Sequence, residues 1–414
     1  MMEKSKFLNK GRIIQIASII LIVFLCCVNI NKLDYIAVLI DEFGYWGSAA
    51  SIVGYDWKEL IAETPYYAWG YSVWLIPIMG LLPTPELWYK AAIFLNIILL
   101  VASYFLCSRV GRKIFPEVDK NIIFAVSLIV IIYPANIIYA QVAWSETLLY
   151  FLIWAATYLL LNIEERFTWT KFVGFVLLLI YMYMVHARTI GCVGIGLVCL
   201  FLVLVKNKKP ILSYLIVLVL AGIGYIINDG IKAYQISELW SNSQSSTMNN
   251  VGLNQETILL YVQKFVKDIR LFLVSLGGKL IYTIVGSGLT VLVLLVRFAK
   301  EEINRVKNRE LFSNYHITKI WCVFAFLASW ILCSLQMLSW EERKDIILYS
   351  RYMENAMGPL LLLGIIYTLT MIKDVRIGVC LSAITLILGL RSVYWRVLEG
   401  TGFFNSICSP IFGA

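Results

Sequence analysis

The sequence predicts an all-α polytopic membrane protein, with about eleven transmembrane helices and further juxtamembrane helices along the outer face. Three observations predict it. Of the 414 residues, 60% are hydrophobic and only 15% are charged, which is more apolar surface than a water-soluble domain can hide. The apolar residues gather in stretches of about 17 to 23, the length that crosses a hydrocarbon core of about 30 Å. The basic residues concentrate in alternate connections between those stretches.

The chain opens on "MMEKSKFLNKGR", a basic segment before an apolar run from Ile13 to Ile30. No small-x-small cleavage site follows, so this run is expected to stay as the first span, 13–33, rather than to act as a cleaved signal. The remaining spans are expected at 86–107, 121–139, 146–162, 172–187, 190–205, 211–228, 277–297, 318–338, 356–372 and 377–393. With the N-terminus cytoplasmic, the inner segments carry Lys4, Lys6, Lys10 and Arg12; Arg109, Arg112, Lys113 and Lys120; Arg166 and Lys171; Lys206, Lys208 and Lys209; Arg297, Lys300, Arg305, Lys307 and Arg309; and Lys373 and Arg376. These short connections hold more than half of the 35 Lys and Arg, the asymmetry that sets orientation in a membrane. The net charge of +9 is therefore a topology signal, and it implies no nucleic-acid partner.

The outer face then consists of loops 34–85, 229–276 and 339–355, with 394–414 as a short outer tail after a transmembrane domain spanning 1–393. In the first loop, "PYYAWGYSVWLIPIMGLLP" (65–83) is apolar enough for a span but is interrupted by Pro77. Counting it as one would invert every later loop, so it is expected to lie along the outer face or dip into it. In the second, "SELWSNSQSSTMNN" is a polar run. After it, "ETILLYVQKFVKDIRLFLV" sets Lys264, Lys267, Asp268 and Arg270 against Ile258, Leu259, Val262, Phe265, Val266 and Ile269, the pattern of an amphipathic helix on the membrane surface. Of the nine cysteines, only Cys408 lies outside apolar segments. They form neither a disulfide framework nor a zinc-ligand spacing.

Ionisable groups near membrane depth are costly, so each one calls for an explanation. Here they collect at one side: Asp41, Glu42, Glu146, His186, Arg188, Arg343, Asp345, Arg351 and Glu354 all fall at outer helix ends, where they can converge on one outward-facing cavity. Asp41 suits an N-cap, but the adjacent Glu42 is an acid that a cap does not need. Tyr45, Trp46, Ala49, Ala50 and Val53 form an apolar stripe behind them. A carboxylate in a partly dry cavity can take the proton of an attacking hydroxyl, and its neighbour can orient the acceptor, raise its pKa or share a divalent cation. Arg351 and Glu354, three residues apart, suit an ion pair closing a helix end. Alternatively Arg351, with Tyr352 beside it, holds an anionic ligand, since a guanidinium fork fits a phosphate; Arg188 has the same two readings. His186 is most simply a hydrogen-bonded polar group. Lys264 suits lipid headgroups first and an anionic donor second. Tyr66, Tyr67, Trp69 and Tyr71 read as interfacial aromatics.

A first helix, an outer Asp-Glu doublet opening a juxtamembrane helix, and then a Pro-Tyr-Tyr-x-Trp stretch resemble the GT-C superfamily of membrane glycosyltransferases, including the protein O-mannosyltransferase and aminoarabinose transferase branches. The likeness is best in the first loop and extends through "ELWYKAAIFLNIILL" (86–100), "WSETLLYFLIW" (144–154) and "LYSRYMENAMGP" (348–359). It implies a GT-C-like fold and sugar transfer from a polyprenyl-phosphate donor to an acceptor hydroxyl on a glycolipid, cell-wall polymer or protein, at the outer face of the cell membrane. Asp41 matches the family's catalytic acid, Glu42 the partner acid of the doublet, and Glu146 an acid at the outer start of the fourth span. Glu146, His186, Arg188, Lys264, Arg351, Tyr352 and Glu354 are then the candidate substrate-binding residues. Family members commonly continue into a soluble outer domain, whereas this chain stops at Ala414 and is expected to be a short member. A lipid-linked saccharide transporter or flippase is the first rival, but it predicts ionisable groups at mid-membrane and broken helices. An outer-face polysaccharide polymerase or ligase is the second, and it predicts large Arg-rich outer loops.

Overall fold

A computed structural model describes residues 2–33, 39–61, 66–240, 255–310, 315–336, 347–371 and 375–384, together with positions 312, 338 and 387. Arg343, Asp345 and Cys408, the tail 394–414 and most of the polar run at 237–250 lie outside the described residues. Among those described, the chain is helical, with no strand.

The helices are α1 (Met2–Cys27), α2 (Leu39–Val53), α3 (Lys58–Ile61), α4 (Ser72–Leu81), α5 (Pro85–Ile114), α6 (Lys120–Ile131), α7 (Pro134–Ala140), α8 (Glu146–Glu165), α9 (Trp169–Val185), α10 (Ile190–Lys206), α11 (Tyr214–Leu239), α12 (Gln255–Lys267), α13 (Ile269–Gly286), α14 (Thr290–Lys307), α15 (His316–Gln336), α16 (Arg351–Glu354) and α17 (Met357–Thr370), followed by α18 (Val375–Ile384). Among the described residues, seven stretches are long and apolar enough to cross a membrane: Lys10–Lys32, Pro85–Ile114, Glu146–Glu165, Ala187–Lys206, Tyr214–Leu239, Ile269–Gly286 and His316–Gln336. The pair α6 and α7, bent by 60° at its break, makes an eighth. The expected spans at 172–187 and 356–372 fall on shorter apolar helices, α9 and α17; of the expected span 377–393, the part after Ile384, apart from position 387, lies outside the described residues.

Local chemistry sets several of the boundaries. Thr84 caps α5 by accepting the Leu87 N–H at 3.4 Å, with Pro85 in the first turn. Pro134 opens α7 directly after the break that ends α6. Asp268 accepts the Leu271 N–H at 2.8 Å and starts α13, so the expected amphipathic helix divides into α12 and the first turns of α13. The expected span 277–297 needs correction. Its middle is a turn at Ser287–Leu289, with Leu289 at φ 71°, and the membrane-length helix is α13, ending at Gly286. Beyond the turn, α14 buries Val291 to Leu294 and carries charge along its last turns. The described part of the stretch 65–83, residues 66–83, forms only the ten residues of α4, with Pro77 inside. At about 1.5 Å per residue this is half of what a span requires.

Helix α8 runs through the centre of the bundle against α5, α9 and α15, mostly buried, while α1 and α11 keep apolar faces outward. Its two ends lie about 27 Å apart at 1.5 Å per residue, and each gathers a separate polar group. At the Glu165 end, Lys113 meets Glu165 at 2.5 Å, Lys206 meets Glu164 at 2.9 Å and Lys319 meets Glu301 at 2.9 Å. Connections expected on one side of the membrane thus share one end of the bundle. Asp41, Glu146, Arg188 and Arg351 meet at the other end.

Candidate active site

Asp41 owes its position to α2. Tyr45, Trp46, Ala49 and Ala50 on that helix are buried, and the Ser72 hydroxyl of α4 donates to the Tyr45 carbonyl at 2.8 Å. Asp41 is not an N-cap, because the helix already begins at Leu39 and both acids sit in its first turn, where unsatisfied N–H groups favour negative charge. Its Oδ1 accepts the Tyr67 hydroxyl and its Oδ2 accepts Arg351 Nη1, both at 2.5 Å. The Asp41 side chain is 19% exposed, against 2% for Glu146, so solvent and ligands reach it most readily.

Arg351 joins Asp41 to the interior. Its Nε donates to Glu146 Oε1 at 2.5 Å, and its guanidinium lies 3.8 Å from the centre of the buried Trp144 ring. Arg188 Nη2 donates to the same Glu146 oxygen at 3.0 Å and stacks on Tyr352 at 4.8 Å. Two acids and two guanidiniums thus neutralise one another where an isolated buried charge would be prohibitive. The pairing is uneven: Glu146 Oε2 and Arg188 Nε and Nη1 are buried without a hydrogen-bond partner among the described residues. Burial opposes the Arg351 charge, but the Glu146 and Asp41 carboxylates outweigh it and keep Arg351 firmly protonated. His186, between α9 and the turn at Ala187–Thr189, accepts the Arg188 N–H at Nδ1 (3.2 Å). Burial first, and then the Arg188 charge, hold its pKa well below the usual value, so it is neutral near pH 7.

Beside this cluster is a partly open cavity of about 80 Å³, bounded by Tyr66, Tyr67, Tyr183, His186 and Arg188 on one side and by Asn228, Lys232, Gln336 and Tyr352 on the other. The 66–71 segment forms one wall because it is stitched to its neighbours. Tyr66 donates to Gln235 at 3.2 Å, Trp69 Nε1 to Asn228 at 3.1 Å and the Gly70 N–H to the Met184 carbonyl at 3.0 Å. A Cβ on Gly70 would lie 2.5 Å from the Met184 carbonyl carbon, so only glycine permits this approach. The aromatics expected at the membrane interface are therefore mostly structural: Tyr66 and Tyr71 are buried, and Tyr67 and Trp69 half-buried.

Asp41, Glu146, His186, Arg188, Arg351 and Tyr352 come together; the other candidates do not join them. Glu42 is fully buried and accepts the Ala143 N–H at 3.0 Å, which corrects the expectation that it faces the cavity beside Asp41. Successive helical residues point roughly 100° apart, so adjacent acids cannot both face one point. A cation shared by the doublet does not fit either, since Asp41 meets Arg351 and Tyr67 while Glu42 meets a backbone N–H. Glu354 does not close a helix end with Arg351. It accepts the hydroxyls of Tyr139, Tyr282 and Ser350, and burial raises its pKa. Lys264 sits on α12, outside this constellation. Sequence reasoning missed Lys232, Asn228 and Trp144; the first two lie on α11, where the polar "NDG" inside an apolar span was the available signal. Chemically, the arrangement offers a partly exposed carboxylate that holds the hydroxyl of one cavity-wall residue, Tyr67, with fixed guanidiniums behind it and aromatic walls beside it. No protein-family model and no curated protein matches the chain.

Proposed function

We propose that the protein is an integral-membrane glycosyltransferase of GT-C type, moving a sugar from a polyprenyl-phosphate donor to an acceptor hydroxyl on the outer side of the membrane. The observation that carries this reading is Asp41, the accessible acid of a buried acid–guanidinium cluster, hydrogen-bonded to Tyr67 of a cavity walled by aromatic and basic side chains. A carboxylate oxygen has lone pairs to spare, so Asp41 can keep Tyr67 and Arg351 and still accept an acceptor hydroxyl. In the reaction the hydroxyl proton passes to Asp41 as the oxygen bonds to the anomeric carbon. The bond from that carbon to the phosphate oxygen breaks, and the lipid phosphate leaves with the electron pair. One displacement inverts the anomeric centre. Because lipid phosphate is a fair leaving group, positioning and charge stabilisation suffice, without a covalent intermediate. The Tyr67 and Arg351 hydrogen bonds fix the carboxylate in place.

The test is transfer by the purified protein in liposomes containing polyprenyl-phosphate sugars and envelope acceptors. The expected result is release of polyprenyl phosphate with product of opposite anomeric configuration. Product of retained configuration would rule out the single displacement, and no release with any donor would rule out the reading.

A further inference from the structure

Trp144 lies beneath the chain of charge at the Glu146 end of α8. Its side chain is fully buried, yet its indole N–H has no hydrogen-bond partner among the described residues. A buried donor left unpaired costs free energy, and a phenylalanine would fill much of the place without one. What the indole adds is its face, the best of the aromatic rings for a cation, and the Arg351 guanidinium lies 3.8 Å from the ring centre. The turn that carries the ring is fixed on several sides. Glu42 accepts the Ala143 N–H at 3.0 Å, the Tyr45 hydroxyl donates to Ser145 at 2.8 Å, and the Asn96 amide of α5 donates to the Val142 carbonyl at 2.8 Å. The Tyr139 ring meets the indole nearly edge-on, with centres 5.5 Å apart. Its hydroxyl donates to Glu354, on the same short helix α16 as Arg351.

We propose that Trp144 is a positioning residue: its ring face sets the plane of the Arg351 guanidinium and, through the Arg351–Asp41 contact, the direction of the Asp41 carboxylate. Glu146 and Asp41 hold Arg351 at Nε and Nη1, which fixes two corners of the plane and leaves it free to tilt about the line between them. A rigid ring in contact with its face removes that freedom. Trp144 does not line the cavity, so it acts through Arg351 and touches no substrate. The hold on Asp41 needs no turnover; only its effect on rate rests on the transfer reading.

The experiment places tryptophans of increasing fluorine content at position 144 of the full-length protein by amber suppression, beside Trp144→Phe and Trp144→Leu. Fluorine drains negative charge from the ring face with little change of shape, so packing stays while the hold on the cation weakens. Labelling of Asp41 by dicyclohexylcarbodiimide is read by peptide mass spectrometry, with the exposed Glu117 as internal standard; transfer rate and donor KM are measured in liposomes. With increasing fluorine content, Asp41 labelling is expected to rise and the transfer rate to fall at unchanged donor KM. In Trp144→Leu each change reaches roughly tenfold, the effect of losing one desolvated cation–π contact. Labelling and rate that stay flat across the fluorinated series overturn the role, even where Trp144→Leu fails to fold, because that failure then reports packing alone. Graded labelling in a protein that transfers no sugar supports the positioning and counts against the reaction instead.

Discussion

At the scale of single residues, the site is a short chain of charge: Asp41 to Arg351, Arg351 to Glu146, Glu146 to Arg188. That these residues mattered was legible in the sequence, because ionisable groups beside apolar spans must be paid for by a partner or a function. Who pairs with whom was not legible, since Arg351 and Asp41 are 310 positions apart and local spacing favoured Glu354. The Asp41–Glu42 doublet misled for a related reason: adjacency in sequence is divergence on a helix. His186 gives a prediction at this scale. Its pKa is depressed in the folded state, so it contributes stability that is present above its ordinary value of about 6.5 and lost as pH falls below it, when unfolded chains gain the proton more readily. His186→Gln is expected to lose less thermal stability than wild type between pH 7.5 and 5.5, read as the shift of the unfolding midpoint in detergent. An identical pH dependence in the two proteins would contradict a neutral buried histidine.

At the scale of elements, the pair α2 and α4 and the 66–71 segment between them carry Asp41 and Tyr67 to the end of α8. The amphipathic stripe of α2 and the shortness of α4, broken by Pro77, were both readable from periodicity and composition. The docking of the segment was not, because it depends on the backbone contact of Gly70 with Met184, which has no periodic signature. The 277–297 span failed for another reason: hydropathy runs unbroken from α13 into α14 and conceals the turn at Ser287–Leu289. Gly70→Ala is expected to cost about 1–3 kcal/mol through overpacking and to lower transfer by shifting Tyr67. Unfolding midpoints and turnover of the variant check this; a variant with wild-type stability would mean that the segment is not held as described.

At the scale of the whole molecule, α8 links two polar groups of different character, a Lys–Glu network at its Glu165 end and the acid–guanidinium cluster with its cavity at its Glu146 end. Charge bias predicts the first end cytoplasmic and the second outside. In a background lacking the native cysteines, Asp56→Cys and Lys208→Cys, both at exposed positions, are expected to react with an impermeant thiol reagent from the outside and only after permeabilisation, respectively. The reverse pattern would turn the site towards the cytosol. The central claim narrows to Asp41 as the base. Single-turnover transfer by Asp41→Asn protein, with donor binding followed in the same liposomes, tests it most directly. The account predicts bound donor and a rate about 10² to 10⁴ lower, whereas transfer at the wild-type rate would contradict it.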